Sequence, residues 1–262
     1  MNQYKTSSEL KNIARHKLRG KYGSAMLVSP VIQLAMAMVI FVPLMLMLFL
    51  LYVIISVANN FETNTLVFTL SMYLVMIPFT ALLGVMNTGV SLFYLNIACG
   101  RKHSVADIFY GFRVQFKKSL ALSTVITLAS YACMLPYQIL NLFPFHASQT
   151  EWILLFLSYI GGRLIFVPIQ LSLSQCFYLL LDFPNYSTLE LLKLSVRIMK
   201  GHKRRLFYIQ LSFIPLQILC ILSFYIGYLW GIPYMNMTNA LFFLDIMKLQ
   251  PSETTSCNSF SN

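Results

Sequence analysis

The chain has 262 residues, of which 58% are hydrophobic and only 10% charged, and its mean hydropathy is +0.69. A soluble domain averages about 45–50% apolar and about 25% charged residues, so there is too little charge here to cover a water-exposed surface, and a soluble globular fold is excluded. The formal net charge of +11 would suit nucleic acid as a partner, but the cations cluster beside apolar runs, and that placement removes the nucleic-acid reading.

Residues 1–24 are polar and basic. Thr6 with Glu9 has the pattern of a capping box, a hydroxyl at the helix start and an acid three residues on. Leu10, Ile13, Ala14 and Leu18 recur at helical spacing, with Lys11, Arg15, Lys17, Arg19 and Lys21 around them. An amphipathic helix over 6–20, lying at a membrane surface, is expected. The run from Ala25 to Ala58 carries no charge. It is far longer than the roughly 7–15 apolar residues of a secretory signal, and it reads as a retained span over 26–57, although Ser56-Val57-Ala58 loosely mimics a cleavage site. At 1.5 Å per residue such a helix runs roughly 48 Å against about 30 Å of hydrocarbon. It must tilt, kink at Pro43 or extend past the bilayer.

A loop at 58–64 without Lys or Arg leads to a second span over 65–99, which contains Pro78. Gly100-Arg101-Lys102-His103 closes it, and a second basic helix is expected over 104–118. Spans follow over 120–143 and 152–181, joined by a loop at 144–151 that also lacks Lys and Arg. Asp182-Phe183-Pro184-Asn185 breaks the chain before a third basic helix over 187–201. A fifth span covers 206–233. Residues 234–249 read either as an interfacial helix or as a sixth span, and the tail at 250–262, rich in Ser, Thr and Asn, is expected to be disordered.

The expected fold is therefore all-α: a polytopic integral membrane helical bundle of five spans, or six, forming a single membrane domain over 1–249. Seventeen of the nineteen Lys and Arg residues lie in 1–24, 100–119 and 182–205, the exceptions being Arg163 and Lys248. The positive-inside rule then places the N-terminus and both basic loops in the cytoplasm. Five spans leave the C-terminus outside; six return it.

The three basic segments align without gaps. Thr6, Ser104 and Ser187 stand at the caps, Glu9, Asp107 and Glu190 three residues later, and Leu10, Ile108 and Leu191 next. Leu18, Phe116 and Met199 come twelve residues after the caps, then Arg19, Lys117 and Lys200, then Gly20, Lys118 and Gly201. The acid suits the positive end of a helix and the closing cation its negative end. Phe93-Tyr94-Leu95 and Phe177-Tyr178-Leu179 stand at one fixed distance before Arg113 and Arg197. The implied repeat is an outgoing span, a return span and a cytoplasmic amphipathic basic helix, with the N-terminal helix as the first copy.

Several stretches resemble an uncharacterised family of bacterial multi-pass membrane proteins, domain-of-unknown-function family 975. They are Asp107-Ile108-Phe109-Tyr110-Gly111-Phe112, Asp182-Phe183-Pro184, Ser195-Val196-Arg197-Ile198-Met199-Lys200-Gly201-His202-Lys203, Leu206-Phe207-Tyr208, Leu211-Ser212-Phe213-Ile214, and Ile226-Gly227-Tyr228-Leu229-Trp230-Gly231-Ile232-Pro233-Tyr234. The resemblance implies a protein of the bacterial cytoplasmic membrane. It brings no substrate, reaction or catalytic residue.

Arg163 is the one basic residue inside an apolar run. An intramembrane charge is a functional candidate, yet Arg163 lies 19 residues before Asp182, roughly 28 Å along a helix, where it could equally snorkel to the outer interface. Glu151 and Asp245 are its candidate partners. Gln33, Asn87, Gln138, Gln170, Gln175, Gln210 and Gln217 either line a polar path or bond neighbouring helices. Pro43, Pro78, Pro136, Pro168 and Pro215 mark candidate kinks. Gly227 and Gly231 form a G-x-x-x-G that reads either as a helix-packing or dimer face or as a helix end.

His16, His103 and His202 have no metal-ligand spacing. Cys99, Cys133, Cys176, Cys220 and Cys257 show neither a disulfide framework nor a zinc pattern. No cofactor is implied. No paired acids, nucleophile–base set or phosphate-binding Gly loop appears, so a non-enzymatic protein is expected. Arg19, Lys21, Lys117, Lys118, Lys200, Lys203, Arg204 and Arg205 are the candidate contacts to anionic lipid headgroups or to a cytosolic or membrane protein partner. The expected role is a membrane scaffold or accessory protein. The alternative is a transporter or permease subunit coupled to a separate cytosolic ATPase.

Overall fold

The computed structural model describes residues 4–57, 61–142 and 149–247, and every regular element among them is helical. The expectations for Lys248 and the tail lie outside these residues, as do parts of the loops at 58–64 and 144–151. The chain opens with α1 (Ser7–Leu18), α2 (Tyr22–Val57) and α3 (Phe61–Cys99). A 3-10 turn over Val105–Phe109 precedes α4 (Tyr110–Arg113), α5 (Phe116–Cys133) and α6 (Leu135–Leu142). Then come α7 (Gln149–Leu173), α8 (Cys176–Asp182), α9 (Thr188–Ile198), α10 (Lys203–Leu211), α11 (Ile214–Leu222) and α12 (Tyr228–Met247).

Four stretches are long and apolar enough to cross a membrane: Tyr22–Leu50, Tyr73–Cys99, Thr150–Asp182 and Lys203–Leu222. The bent pair of α5 and α6 makes a fifth if it counts as one span. Packing inside the protein does not consume their apolar surface. Only 17% of the most apolar window in Thr150–Asp182 is buried, and Trp152, Phe156 and Leu164 on α7 are all at least 60% exposed. Contiguous exposed apolar faces mark surfaces that meet a partner or a membrane.

Two of the expected spans are broken beside a proline. The expected helix over 120–143 bends by 56° between α5 and α6. Pro136 stands in the first turn of α6 and has no N–H to continue the hydrogen-bond ladder. The expected helix over 206–233 is interrupted twice. Pro215, in the first turn of α11, separates it from α10 in the same way. Farther on, Phe224 and Tyr225 take left-handed conformations, with φ of 50° and 67°, and the chain turns back.

α12 then runs antiparallel to α11. The Phe213 and Tyr234 rings meet edge to face with centroids 5.3 Å apart, and Gly227 presses on Cys220, where a Cβ would lie 2.9 Å from the Cys220 Cα. The G-x-x-x-G thus packs α12 against α11 inside the chain, and residues 234–247 form a helix whose last eight residues are all buried.

The described residues fall into two compact units. One draws on 1–34, 85–122 and 171–262, the other on 35–84 and 123–170. In the first, α1 lies on α12 and buries Leu10, Ala14 and Leu18 almost completely. Phe93, Tyr94, Phe242 and Phe243 form the centre of that core, and the Tyr178 ring stacks on Phe243 at 5.1 Å. The 3-10 turn sits on α3 backbone to backbone, because a Cβ at Gly89 would lie 1.8 Å from the Ile108 carbonyl oxygen. That seating explains why 104–118 is not the single helix expected. The segment follows α3 through the turn and α4, breaks at Val114, and restarts as α5 at Phe116. In the second unit Ser123 Oγ donates to the Ala81 carbonyl at 2.7 Å, tying α5 to α3.

Candidate functional site

Three capping boxes form at the aligned positions. Glu9 N–H donates to Thr6 Oγ1 at 3.3 Å while Thr6 N–H donates to Glu9 Oε2 at 2.8 Å. Ser187 and Glu190 repeat this at 3.4 and 2.8 Å. At the second position Ser104 N–H donates to Asp107 Oδ2 at 3.1 Å, and the same oxygen accepts from Asn96 Nδ2 at 3.3 Å. Each box satisfies orphan N–H groups at a helix start. The Ser187 backbone and hydroxyl hold the Glu190 carboxyl below its usual range. Leu10, Ile108 and Leu191, next to the acids, are all buried to 1% or less. Gly20 and Gly201 leave two of these segments with φ of 77° and 91°, a conformation that suits glycine at a helix end. Phe116 departs from the pattern: it is exposed, whereas Leu18 and Met199 are fully buried.

All seventeen cations of the basic segments belong to the first unit, and the structure divides them by role. Arg205 pairs with the Asp245 carboxylate and donates to the Lys5 carbonyl. Its guanidinium lies 5.1 Å from the Phe242 ring centroid and 5.4 Å from that of Tyr4. Lys5 N–H donates to Asp245 Oδ2 at 3.3 Å. Arg205 is thus an internal clasp joining the N-terminus, α10 and α12. His202, edge-on to Tyr4 at 4.5 Å, sits in the same corner. Burial first, and then the Arg205 charge, lowers its pKa.

Lys118 donates to the carbonyls of Pro184 and Tyr186, holding the turn after α8. Lys11 donates to Ser212 Oγ at 2.5 Å and lies 4.3 Å from the Phe213 ring centroid. Burial, with Arg15 behind it, lowers the Lys11 pKa. Arg19, Lys117, Lys200 and Arg204 are exposed, and Lys21 and Lys203 are half-buried. Of the eight candidate contacts, Arg205 and Lys118 therefore hold the fold together, and the four exposed side chains present charge outward.

Arg163 belongs to the second unit, where it is the only Lys or Arg among the described residues. It lines a cavity of about 660 Å³ between α3, the bent α5–α6 pair and α7. Its Nε donates to Tyr159 Oη at 3.3 Å, and its guanidinium lies 5.6 Å from that ring's centroid. Tyr73 meets Tyr131 edge to face at 5.8 Å, and Tyr137 meets Tyr159 at 5.6 Å. Thr80, Thr127, Ser130, Gln138 and Gln170 add polar groups to the lining. Asp245, one of the two acids considered as partners for Arg163, is taken by Arg205.

Of the polar residues singled out in the sequence, Gln138 and Gln170 join Arg163 here, while Gln217 lies on α11 with its amide 3.6 Å from the Met235 sulfur. The four tyrosines were missed in the sequence. Their signal was the spacing of Tyr73 before Thr80, Tyr131 before Gln138, and Tyr159 before Arg163, each one or two helical turns apart. Cys133, Cys176 and Cys220 are free thiols.

Fold and site together define an all-helical protein with four or five helices able to cross a membrane, a cation-rich unit and a tyrosine-lined cavity. The chain belongs to the family described as "Protein of unknown function (DUF975)", whose model matches residues 1–250. No curated protein and no solved structure matches it.

Proposed function

We propose that this is a multi-pass protein of the bacterial cytoplasmic membrane, with its N-terminus in the cytoplasm, acting as a non-enzymatic scaffold or accessory protein. Its exposed cations contact anionic lipid headgroups at the cytoplasmic leaflet. The observation that carries this reading is the segregation of charge. Every basic residue of the three capped segments lies in one unit, whereas the other keeps Arg163 alone among exposed Leu, Phe and Trp side chains. The three aligned caps support a threefold repeat of capped basic segments. On this reading α12 folds back along α11 and returns Asp245 to the cytoplasmic side, where Arg205 lies.

The test is charge reversal confined to the exposed set, Arg19→Glu, Lys117→Glu, Lys200→Glu and Arg204→Glu. Arg205 is left intact because its loss would unseat the core. Native mass spectrometry of the purified protein should show retained phosphatidylglycerol in the parent chain and its loss in the variant. Equal retention of anionic and zwitterionic lipid by the parent would reject the reading. A second reading, a transporter or permease subunit working with a cytosolic ATPase, draws on the cavity beside the Pro136 break. Co-purification of an ATPase would favour it.

A further inference from the structure

We infer that the cavity around Arg163 binds a single-chain amphipathic anion, a carboxylate or phosphate head carried on an apolar body. This goes beyond the headgroup contacts proposed for the basic end and uses a different unit of the protein. Three observations converge on it.

The first is charge. Arg163 is the only charged side chain in the lining. Its described contacts are with Tyr159, a neutral phenol and its ring. A guanidinium presents five donors in a planar fork that matches carboxylate and phosphate oxygens, and the Tyr159 contact uses only Nε. The terminal Nη groups therefore remain suited to an anionic head.

The second is composition. The phenols of Tyr73, Tyr131 and Tyr137 and the amides of Gln138 and Gln170 can each donate a hydrogen bond toward a head group. Met76, Ile126, Met134 and Phe166 supply apolar wall for the body of the ligand. Ten of the fourteen lining residues carry a polar group, four of them on phenol rings whose faces add apolar wall, and about 660 Å³ falls within the roughly 300–1,000 Å³ usual for a small-molecule site.

The third is shape. The 56° bend between α5 and α6 places Met134, Tyr137 and Gln138 on the cavity wall. Gly162 on α7 approaches that bend closely; a Cβ there would lie 2.7 Å from the Cys133 carbonyl oxygen. The break at Pro136 is thereby seated against α7, and the cavity is built into the helix packing.

The test uses the full chain in a neutral maltoside detergent. A palmitate analogue carrying a photoreactive diazirine is crosslinked, and the modified peptides are mapped. Crosslinks are expected in 73–80, 126–138 and 159–170, and hexadecyl phosphate should compete them away, whereas hexadecanol should compete about tenfold or more weakly. Arg163→Gln should weaken palmitate binding about tenfold or more, the loss expected for a charge-assisted hydrogen bond. Ser130→Trp, which inserts an indole into the cavity, should weaken the crosslinks. Thermal unfolding of both variants establishes that they fold.

Equal competition by hexadecanol and hexadecyl phosphate in the unaltered chain would overturn the proposal without reference to any variant. Crosslinks confined to the basic segments would also overturn it, while leaving the reading of the basic end intact. Failure of the charge-reversal variant to lose phosphatidylglycerol would reject that other reading and leave the cavity untouched.

Discussion

The Arg205–Asp245 pair is the place where a single atom change has the largest expected effect. The two side chains are 18% and 9% exposed, so the pair is largely withdrawn from water. Removing one partner of a buried pair costs about 3–5 kcal/mol, because the remaining charge stays buried without compensation. Residual exposure, the Lys5 carbonyl and the Phe242 ring soften the loss for Arg205. Asp245→Asn should therefore destabilise the fold by about 2–3 kcal/mol. At about 2–4 °C per kcal/mol for a chain of this size, the unfolding midpoint should drop by roughly 5–10 °C. Arg205→Met should act similarly, since among the described hydrogen-bond donors it leaves the carboxylate with the Lys5 N–H alone.

The double variant, Asp245→Asn with Arg205→Met, removes both charges, so neither is left buried without its counter-charge. It should therefore recover most of the loss, giving a coupling energy above about 1 kcal/mol. The assay is thermal unfolding in neutral detergent, followed by the fluorescence of Trp152 and Trp230, across all four corners of the cycle. If the two single effects simply add, the clasp does not exist as described.

The capping boxes and the His202 corner give further expectations. Ser187→Ala removes the acceptor for Glu190 N–H and should cost about 1 kcal/mol, with Ser187→Gly milder; an unfolding midpoint unchanged in both would show that the box contributes nothing. The His202 pKa is lowered in the fold, so the unfolded chain takes up a proton first as pH falls. Stability is then full above the ordinary His value of about 6.5 and declines as pH drops through it toward the lowered folded value. Between pH 7.5 and 5.5 the parent chain should lose more of its unfolding midpoint than His202→Gln, and parallel pH profiles would refute this.

Much of the architecture is legible in one-dimensional pattern, because hydrocarbon and helix dipoles impose simple rules. Apolar length marks the helices, and S/T-x-x-D/E marks all three caps, each of which forms. What the pattern does not carry is competition between backbone paths. Phe224 and Tyr225 are good residues for an apolar helix, and nothing in their chemistry announces a turn; it arises because Gly227 and Gly231 let α12 lie flat on Cys220. Likewise Lys118 looks like Lys117 in sequence, yet one reaches the Pro184 and Tyr186 carbonyls and the other faces outward. Arg205 was grouped with its neighbours by charge, although an acid forty residues away decides its role.

Both units close some hydroxyls on protein, Ser123 on the Ala81 carbonyl in the second among them, but the second also leaves polar groups around its cavity. In the first, hydroxyls close on protein: Thr88 Oγ1 donates to Ser119 Oγ at 2.9 Å, and Ser195 Oγ to the Ser172 carbonyl at 2.7 Å, all buried. Such pairs fix helix spacing. In the second, Tyr73, Ser130, Gln138 and Arg163 face a common open volume. Desolvating polar groups around a cavity is costly unless something occupies it with matching chemistry. On the two readings proposed above, the exposed cations meet lipid headgroups and the cavity holds an amphipathic anion.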